Sequence, residues 1–117
     1  MASVTPLHTP ADAEAMLAAS QTQPVALLKH SAACMVSARG QRVFMQLAEH
    51  GDLPLYMVTV QQARMVSSAL AERLGVRHET PQAFIVYQGE PVIHQSHGSI
   101  RAEDLRAAAH QAARRAA

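Results

Sequence analysis

The chain contains a single cysteine, Cys34, which follows a short apolar run and opens a helical pattern. The apolar residues 25–28 predict a buried strand, and the pattern from about residue 34 onward predicts a helix. A helix start presents free backbone N–H groups and the positive end of the helix dipole, which stabilise a thiolate relative to a thiol. Because the thiolate is the reactive form, Cys34 is a candidate nucleophile. The alternative is a small buried apolar residue, which is the commoner state of a lone cysteine.

Three polar residues surround this cysteine in the sequence. Ser37 stands three positions after Cys34, where a two-cysteine redox site would carry its second thiol. Its hydroxyl can donate a hydrogen bond to the Cys34 sulfur or cap the helix start locally, and the sequence leaves both open. A cation at Lys29 or His30 would lower the pKa of Cys34. His30 is the stronger candidate, whereas Lys29 is expected to extend its ammonium from the strand end into solvent.

Composition limits the class of protein. With 117 residues, 49% of them hydrophobic and 16% charged, the chain is expected to form one domain over residues 1–117. A net charge of +1 and only two Tyr, two Phe and no Trp argue against a nucleic-acid partner. No apolar run approaches membrane-spanning length and no signal peptide is visible, so we expect no membrane partner and a cytoplasmic location. One cysteine excludes an internal disulfide.

Apolar periodicity and capping residues divide the chain into alternating elements. Thr9 is a candidate N-cap for the first helix, with Pro10 at its first position. In the second helix, positions 36, 40, 43, 44 and 47 fall on one face and are expected to be buried. The patterns predict helices over residues 10–20, 34–50, 62–74 and 101–115, and strands over residues 25–29, 53–60, 82–87 and 91–95.

The order of these elements favours one architecture. The β-α-β opening implies a right-handed crossover and a parallel pair of strands, whereas the later hairpin implies an antiparallel pair. A four-stranded mixed sheet flanked by helices satisfies both. This α/β arrangement resembles the thioredoxin-like three-layer sandwich, with an additional helix at the N-terminus.

Pro81 precedes the third predicted strand. In thioredoxin-like folds a cis-proline occupies this position and faces the redox cysteine, with the backbone of the preceding residue exposed to an extended substrate. The resemblance therefore implies that the bond after Thr80 is cis, and that Thr80 and Pro81 shape a groove beside Cys34. The alternative is a trans proline that merely starts an edge strand.

Two segments carry a more specific resemblance. Residues 28–37 (LKHSAACMVS) resemble the redox loop of the monothiol bacilliredoxins, and residues 74–83 (LGVRHETPQA) are similar to that family's stretch before the third strand. Ser96 and His97 after the fourth strand also match. The family usually carries Thr-Cys-Pro-x-Ser at the redox loop, whereas this chain has Ala33 and Met35 beside Cys34. The Cys-x-x-Ser spacing is kept.

The resemblance implies an activity and its partners. Bacilliredoxins are thiol–disulfide oxidoreductases expected to remove bacillithiol, which some bacteria use in place of glutathione, from protein mixed disulfides. Cys34 would be the catalytic residue, bacillithiol the co-substrate without a further cofactor, and bacillithiolated proteins the clients. A second bacillithiol or a partner reductase would resolve the intermediate. The residues expected to bind the carboxylates of the small thiol are Ser96, His97, Gly98, Ser99 and Arg101. The alternative is an ordinary polar turn before the last helix.

Three other functions compete with this interpretation. The first is a binding module without catalysis, on the same scaffold and with an inert Cys34. The second is a one-cysteine glutaredoxin relative carrying an iron–sulfur cluster, but such proteins use Cys-Gly-Phe-Ser, which Met35 and Val36 do not match. The third is a zinc site at His94 and His97, which has ligand-like spacing but no cysteines or carboxylates close by in sequence. We therefore expect no metal.

Overall fold

The computed structural model describes residues 4–33, 35–49 and 53–115. Cys34 and the predicted helix end at Gly51 lie outside the described residues. The strands are β1 (Val4–Pro6), β2 (Val25–His30), β3 (Leu55–Thr59), β4 (Gln82–Tyr87) and β5 (Glu90–Ser96). The helices are α1 (Pro10–Ala19), α2 (Met35–Met45), α3 (Arg64–Leu74) and α4 (Ala102–Arg115), with 3-10 turns at Gln46–Glu49 and His97–Ser99.

The strands form one mixed sheet in the order β1-β3-β2-β4-β5. β3 pairs in parallel with both β1 and β2, whereas β4 pairs antiparallel with β2 and β5. The central strands β2 and β4 are buried on both faces, which explains their continuous apolar sequence. The α/β class and the mixed sheet confirm the expected fold class.

Two apolar clusters cover the two faces of the sheet. Alternate residues of β2 point to opposite sides, so Leu27 joins one cluster and Leu28 the other. The Leu27 cluster includes buried residues of α1 and α3, and the Leu28 cluster includes buried residues of α2 and α4. The molecule is therefore a three-layer sandwich, and the C-terminal end of β2 lies between the two helical layers.

Local sequence explains how the flanking helices begin and end. The Thr9 hydroxyl accepts a hydrogen bond from the Asp12 N–H, and the Asp12 carboxylate accepts one from the Thr9 N–H. This reciprocal pair confirms Thr9 as the N-cap of α1. α3 ends at Gly75, whose φ of 68° lies in the left-handed region that glycine adopts without steric cost.

Two predictions about the elements are wrong. Among the residues that the structure describes, the sheet has five strands rather than four, because β1 adds a short edge strand that pairs with β3. In α2 the buried positions are Ser37, Gly40 and Phe44, and Val36 is exposed. Gly40, Phe44 and Leu47 are buried as predicted, so only position 36 is wrong. Ser37 takes the inner place in that turn, where its hydroxyl has hydrogen-bond partners.

Candidate redox site

The connection between β2 and α2, residues 31–34, is called the redox loop below. β2 ends at His30 and α2 begins at Met35, so a short connection precedes the helix, as the sequence predicts. Cys34, the residue immediately before α2, lies outside the described residues. The site is therefore built from the groups on either side of it and from the loops that lie at the same end of the sheet.

Ser37 holds this loop together from the first turn of α2. Its side chain is fully buried. The Oγ accepts a hydrogen bond from the Ser31 N–H at 2.8 Å and lies 3.2 Å from His30 Nδ1. One hydroxyl thus joins the end of β2, the loop and the helix. A local hydrogen bond to the backbone is therefore present, and the hydrogen bond from Ser37 to the Cys34 sulfur stays a prediction.

Gln61 supports the same loop from the segment after β3. Its Oε1 accepts a hydrogen bond from the Ala32 N–H at 3.1 Å, and its Nε2 donates to Ser31 Oγ at 2.7 Å. This role of Gln61 is not visible in the sequence, since a single glutamine after a strand carries no signal of a partner about thirty residues away. Ser37 therefore holds the backbone of the loop from α2, and Gln61 holds its backbone and the Ser31 side chain from the segment after β3.

The first turn of α2 is apolar and open to solvent. The Met35 side chain is 89% exposed, and Val36 beside it is also exposed. The two residues that follow the cysteine in sequence therefore lie at the surface.

A cis peptide bond joins Thr80 to Pro81, which confirms the predicted isomer. Pro81 packs against α2 at Gly40, where a Cβ would lie 2.8 Å from Pro81 Cβ. Only a residue without a side chain allows this approach. The Pro81 carbonyl accepts a hydrogen bond from the His97 N–H at 2.9 Å. The loop before β4 is therefore positioned between the redox helix and the turn after β5.

Glu79 connects the cis-proline loop to that turn. Its Oε1 lies 3.4 Å from His97 Nε2, and hydrogen bonds from the Ser96 and His97 side chains hold the pKa of Glu79 below its usual value. His97 has a φ of 55°, which turns the chain at this point. The role of Glu79 is not visible in the sequence, because its partners lie at the end of β5 and in the turn after it.

The residues expected to bind the small thiol lie at this same end. Ser96 ends β5, residues 97–99 form a 3-10 turn, and Arg101 immediately precedes α4. The N–H of His97 donates to Pro81, and the N–H of Arg101 donates to Gln95 Oε1 at 2.9 Å. The structure thus brings this turn to the cis-proline loop. Thiol binding by these residues stays a prediction.

Lys29 does not extend into solvent as expected. Its side chain is 0% exposed, and Nζ lies 3.3 Å from His78 Nδ1. Burial lowers the pKa of Lys29 to about 8, and burial together with the Lys29 charge lowers the pKa of His78. His78 Nδ1 also lies 3.3 Å from Ser67 Oγ in α3. The prediction was wrong because the partners that make burial tolerable come from α3 and the segment after it.

Within the described ranges, no three histidine, aspartate or glutamate side chains lie close enough together to bind a metal ion. The helices in those ranges are all too short or too polar to cross a membrane.

Comparison with known proteins places these features in a family. The family model of the monothiol bacilliredoxin BrxC matches residues 5–105. A solved oxidoreductase with a thioredoxin fold is 32% identical over 90% of this chain and 92% of its own, with a TM-score of 0.81. Thioredoxins share the fold at lower identity. That of Fasciola hepatica is 16% identical with a TM-score of 0.72, covering 92% of this chain and 97% of its own. The thioredoxin of Trypanosoma brucei brucei is 13% identical with a TM-score of 0.74, and the match covers 96% of this chain and 92% of that thioredoxin.

Proposed function

The chain belongs to the monothiol bacilliredoxin family, and from this premise we propose that it removes bacillithiol from protein mixed disulfides through Cys34. A thiol redox role follows from the family and from the related oxidoreductase. The family match carries the finer proposal. It agrees with a redox loop fixed by Ser37 and Gln61 beside a cis-proline.

The reaction is a pair of thiol–disulfide exchanges. The Cys34 thiolate attacks the bacillithiol sulfur of a protein–bacillithiol disulfide. A new bond forms between Cys34 and bacillithiol, the original disulfide breaks, and the client leaves as a thiolate that takes a proton from water. A second bacillithiol thiolate then attacks the bacillithiol sulfur held on Cys34. This step releases oxidised bacillithiol and returns Cys34 to the thiolate, and a partner reductase is the other route.

The described side chains would serve this reaction by positioning. Ser37 and Gln61 hold the backbone before Cys34, and Thr80 and Pro81 provide the backbone edge along which an extended client can lie. The amide dipoles at the start of α2 favour the thiolate. With a buried serine at position 37 and no second cysteine in the chain, the intermediate must be resolved by another molecule.

Mass spectrometry after mixing the protein with oxidised bacillithiol tests the proposal. We expect one bacillithiol adduct on Cys34, absent in Cys34→Ser and removed by added free bacillithiol. Ser68→Ala, an exposed position on α3, is the matched control and should retain the adduct. Absence of an adduct on the wild-type chain would refute the proposal. An equal rate with oxidised glutathione would leave thiol exchange intact but remove the preference for bacillithiol.

The second candidate function is a non-catalytic binding module with an inert Cys34. The exposed Met35, in place of the family's proline, is the observation that favours it, because the helix start loses a residue suited to its first turn. The rate of Cys34 alkylation as a function of pH separates the two candidates. A midpoint well below about 8.5, the value of a free thiol, supports the redox function, and a midpoint at or above it supports the module.

A further inference from the structure

Lys29 and Gln82 lie side by side on the face of the sheet that α3 covers. They are partners in the antiparallel pairing of β2 and β4, and both side chains are fully buried. Directly opposite residues of such a pair project from the same face, with Cβ atoms about 5 Å apart. Lys29 Nζ lies 3.3 Å from His78 Nδ1 and 5.9 Å from the centroid of the Phe84 ring. Within the described ranges, the one hydrogen-bond acceptor of this enclosed amine is His78.

Gln82 carries a second acceptor on that face. Its Nε2 donates to the Arg77 carbonyl at 3.0 Å, which assigns the orientation of the amide. Gln82 Oε1 is buried and accepts no hydrogen bond from the part of the chain that the structure describes. A buried carbonyl oxygen without a donor destabilises a fold. An ammonium has three donors, and His78 Nδ1 can accept only one of them. Gln82 Oε1 is therefore available as a second acceptor for Lys29.

The contact between Lys29 and His78 requires that the pair lack one proton. An ammonium has no lone pair, and an imidazolium donates from both of its nitrogens. When both groups are charged, Nζ and Nδ1 are two donors that repel each other. Lys29 is enclosed on a central strand, whereas His78 is exposed and lies in the segment between α3 and β4. His78 is therefore the partner that can move.

We propose that Lys29, His78 and Gln82 form a pH-sensitive latch on the segment that leads to the cis-proline. In the closed state the Lys29 ammonium donates to neutral His78 and ties this segment to β2. When His78 takes a proton from water, the ammonium turns to Gln82 Oε1 and the imidazolium leaves Lys29, so the latch opens. No covalent bond of the chain changes in this step. The inference goes beyond the proposed function, because it concerns the folded chain without any thiol substrate.

The groups that face His78 decide where the latch opens. Burial and the charge of Lys29 lower the pKa of His78, and the charge of Glu79 raises it. From α3, Ser67 Oγ lies 3.3 Å from Nδ1 and can donate or accept, so it is a partner in either state. Because the pKa of His78 is lower in the folded chain than its ordinary 6.5, the closed latch stabilises the fold above pH 6.5. This contribution is lost as the pH falls through the folded-state pKa.

Nuclear magnetic resonance of the full chain tests the inference, because Lys29 is the only lysine and gives one set of side-chain signals. The pH is lowered from about 8 to about 5 while the signals of Lys29, the His78 ring and the Gln82 side-chain amide are followed. We expect all three to change with one midpoint, below pH 6.5. The nuclear Overhauser effect between Lys29 Hε and His78 Hε1 should be present above this midpoint and absent below it.

Three variants separate the parts of the latch. His78→Asn keeps an acceptor but does not titrate, so the acid step should vanish from the Lys29 and Gln82 signals. In Lys29→Met the midpoint of His78 should rise towards 6.5. Gln82→Met removes the second acceptor and should move the midpoint of His78 to lower pH, since opening then leaves the ammonium without a partner. His110→Asn, at an exposed position on α4 across the sheet, is the matched control and should leave the midpoint unchanged.

Several results would overturn the latch. Lys29 signals that stay constant while His78 titrates would show that the two groups do not share a proton-dependent contact. A Gln82 amide signal without an acid step, or an unchanged midpoint in Gln82→Met, would remove the second acceptor and with it the proposed open state. An Overhauser effect that persists below the midpoint would show that His78 stays in place. Since no thiol enters the experiment, each of these results leaves the proposed function standing.

Discussion

Lys29 and His30 are neighbours at the end of β2, but their side chains make contacts in different layers of the sandwich. Lys29 enters the layer formed with α3 and lies 3.3 Å from His78 Nδ1. His30 contacts Ser37 in α2, which belongs to the other layer. The alternation of side chains along a strand is sufficient to send one polar group into the core and the other to the redox loop.

The two contacts have different physical consequences. At the first contact the Lys29 amine is buried. Its desolvation lowers the pKa of Lys29 and so makes the stability of the fold depend on pH. The His30 contact is half-buried and connects the strand to the loop through one hydroxyl, so its effect is on geometry. We therefore expect changes near Lys29 to alter stability and its pH dependence, and changes near His30 and Ser37 to alter the reactivity of Cys34.

The largest expected effect is on the pH dependence of folding. The pKa of Lys29 is lowered from 10.5 to about 8 in the folded chain. Between these values the unfolded chain binds a proton that the folded chain does not, so stability rises with pH. From pH 7.5 to 9.5 we expect the free energy of unfolding to increase by about 2 kcal/mol from this residue. In Lys29→Met the increase should disappear.

Urea unfolding across this pH range measures the effect. Lys29 is the only lysine in the chain, and subtracting the Lys29→Met profile removes what the cysteine and tyrosines contribute. Identical profiles for the two chains would show that the amine is hydrated in the folded state. If Lys29→Met changed the rate of Cys34 alkylation as strongly as it changed stability, the two layers would be coupled. The proposed separation between the Lys29 and His30 contacts would then be wrong.

A smaller effect is expected from Ser37→Ala. The variant leaves the Ser31 N–H without its acceptor, which costs about 1–2 kcal/mol of stability when the group is buried. The alkylation rate of Cys34 should change as well, because the loop loses one of its supports. Ser68→Ala on α3 is the control, and urea midpoints together with alkylation rates are the measurement. A loss of stability with an unchanged alkylation profile would show that the loop keeps its shape without Ser37.

Gln61→Ala should have the smallest effect. Its two hydrogen bonds to the loop are exposed, so water can replace them, and the loss of stability should stay below about 1 kcal/mol. We expect a measurable change in the Cys34 alkylation rate nonetheless. The neighbouring Gln62→Ala serves as control. A stability loss as large as that of Ser37→Ala would show that the loop depends equally on both supports.

Much of the fold could be predicted from local patterns. The apolar runs of β2 and β4, the capping residues of α1 and the glycine after α3 each carry their signal within a few residues. Strand β1 was missed because three residues that include Pro6 have no pattern of their own and are ordered by pairing with β3. The exposure of Val36 was missed because the inner face of α2 is set by polar partners of Ser37 as well as by apolar spacing.

In the candidate site, too, some features have a local signal in the sequence and others depend on distant residues. The single cysteine, the serine three residues later and the proline before β4 are visible in the sequence. The structure confirms the cis bond and assigns partners to Ser37, while the role of Cys34 stays a prediction. Gln61, Glu79 and the burial of Lys29 required the structure, because each depends on residues distant in the chain.

The sequence by itself determined the types and order of the elements and the chemistry available, since hydrophobic periodicity, capping and the number of thiols are local properties. Tertiary structure decided which polar groups meet. Lys29 is buried because His78, which also contacts Ser67, is brought to it. Glu79 is held in place because Ser96 and His97 return to the cis-proline loop. Hydrogen bonds act over about 3 Å, and only the folded chain brings these atoms that close.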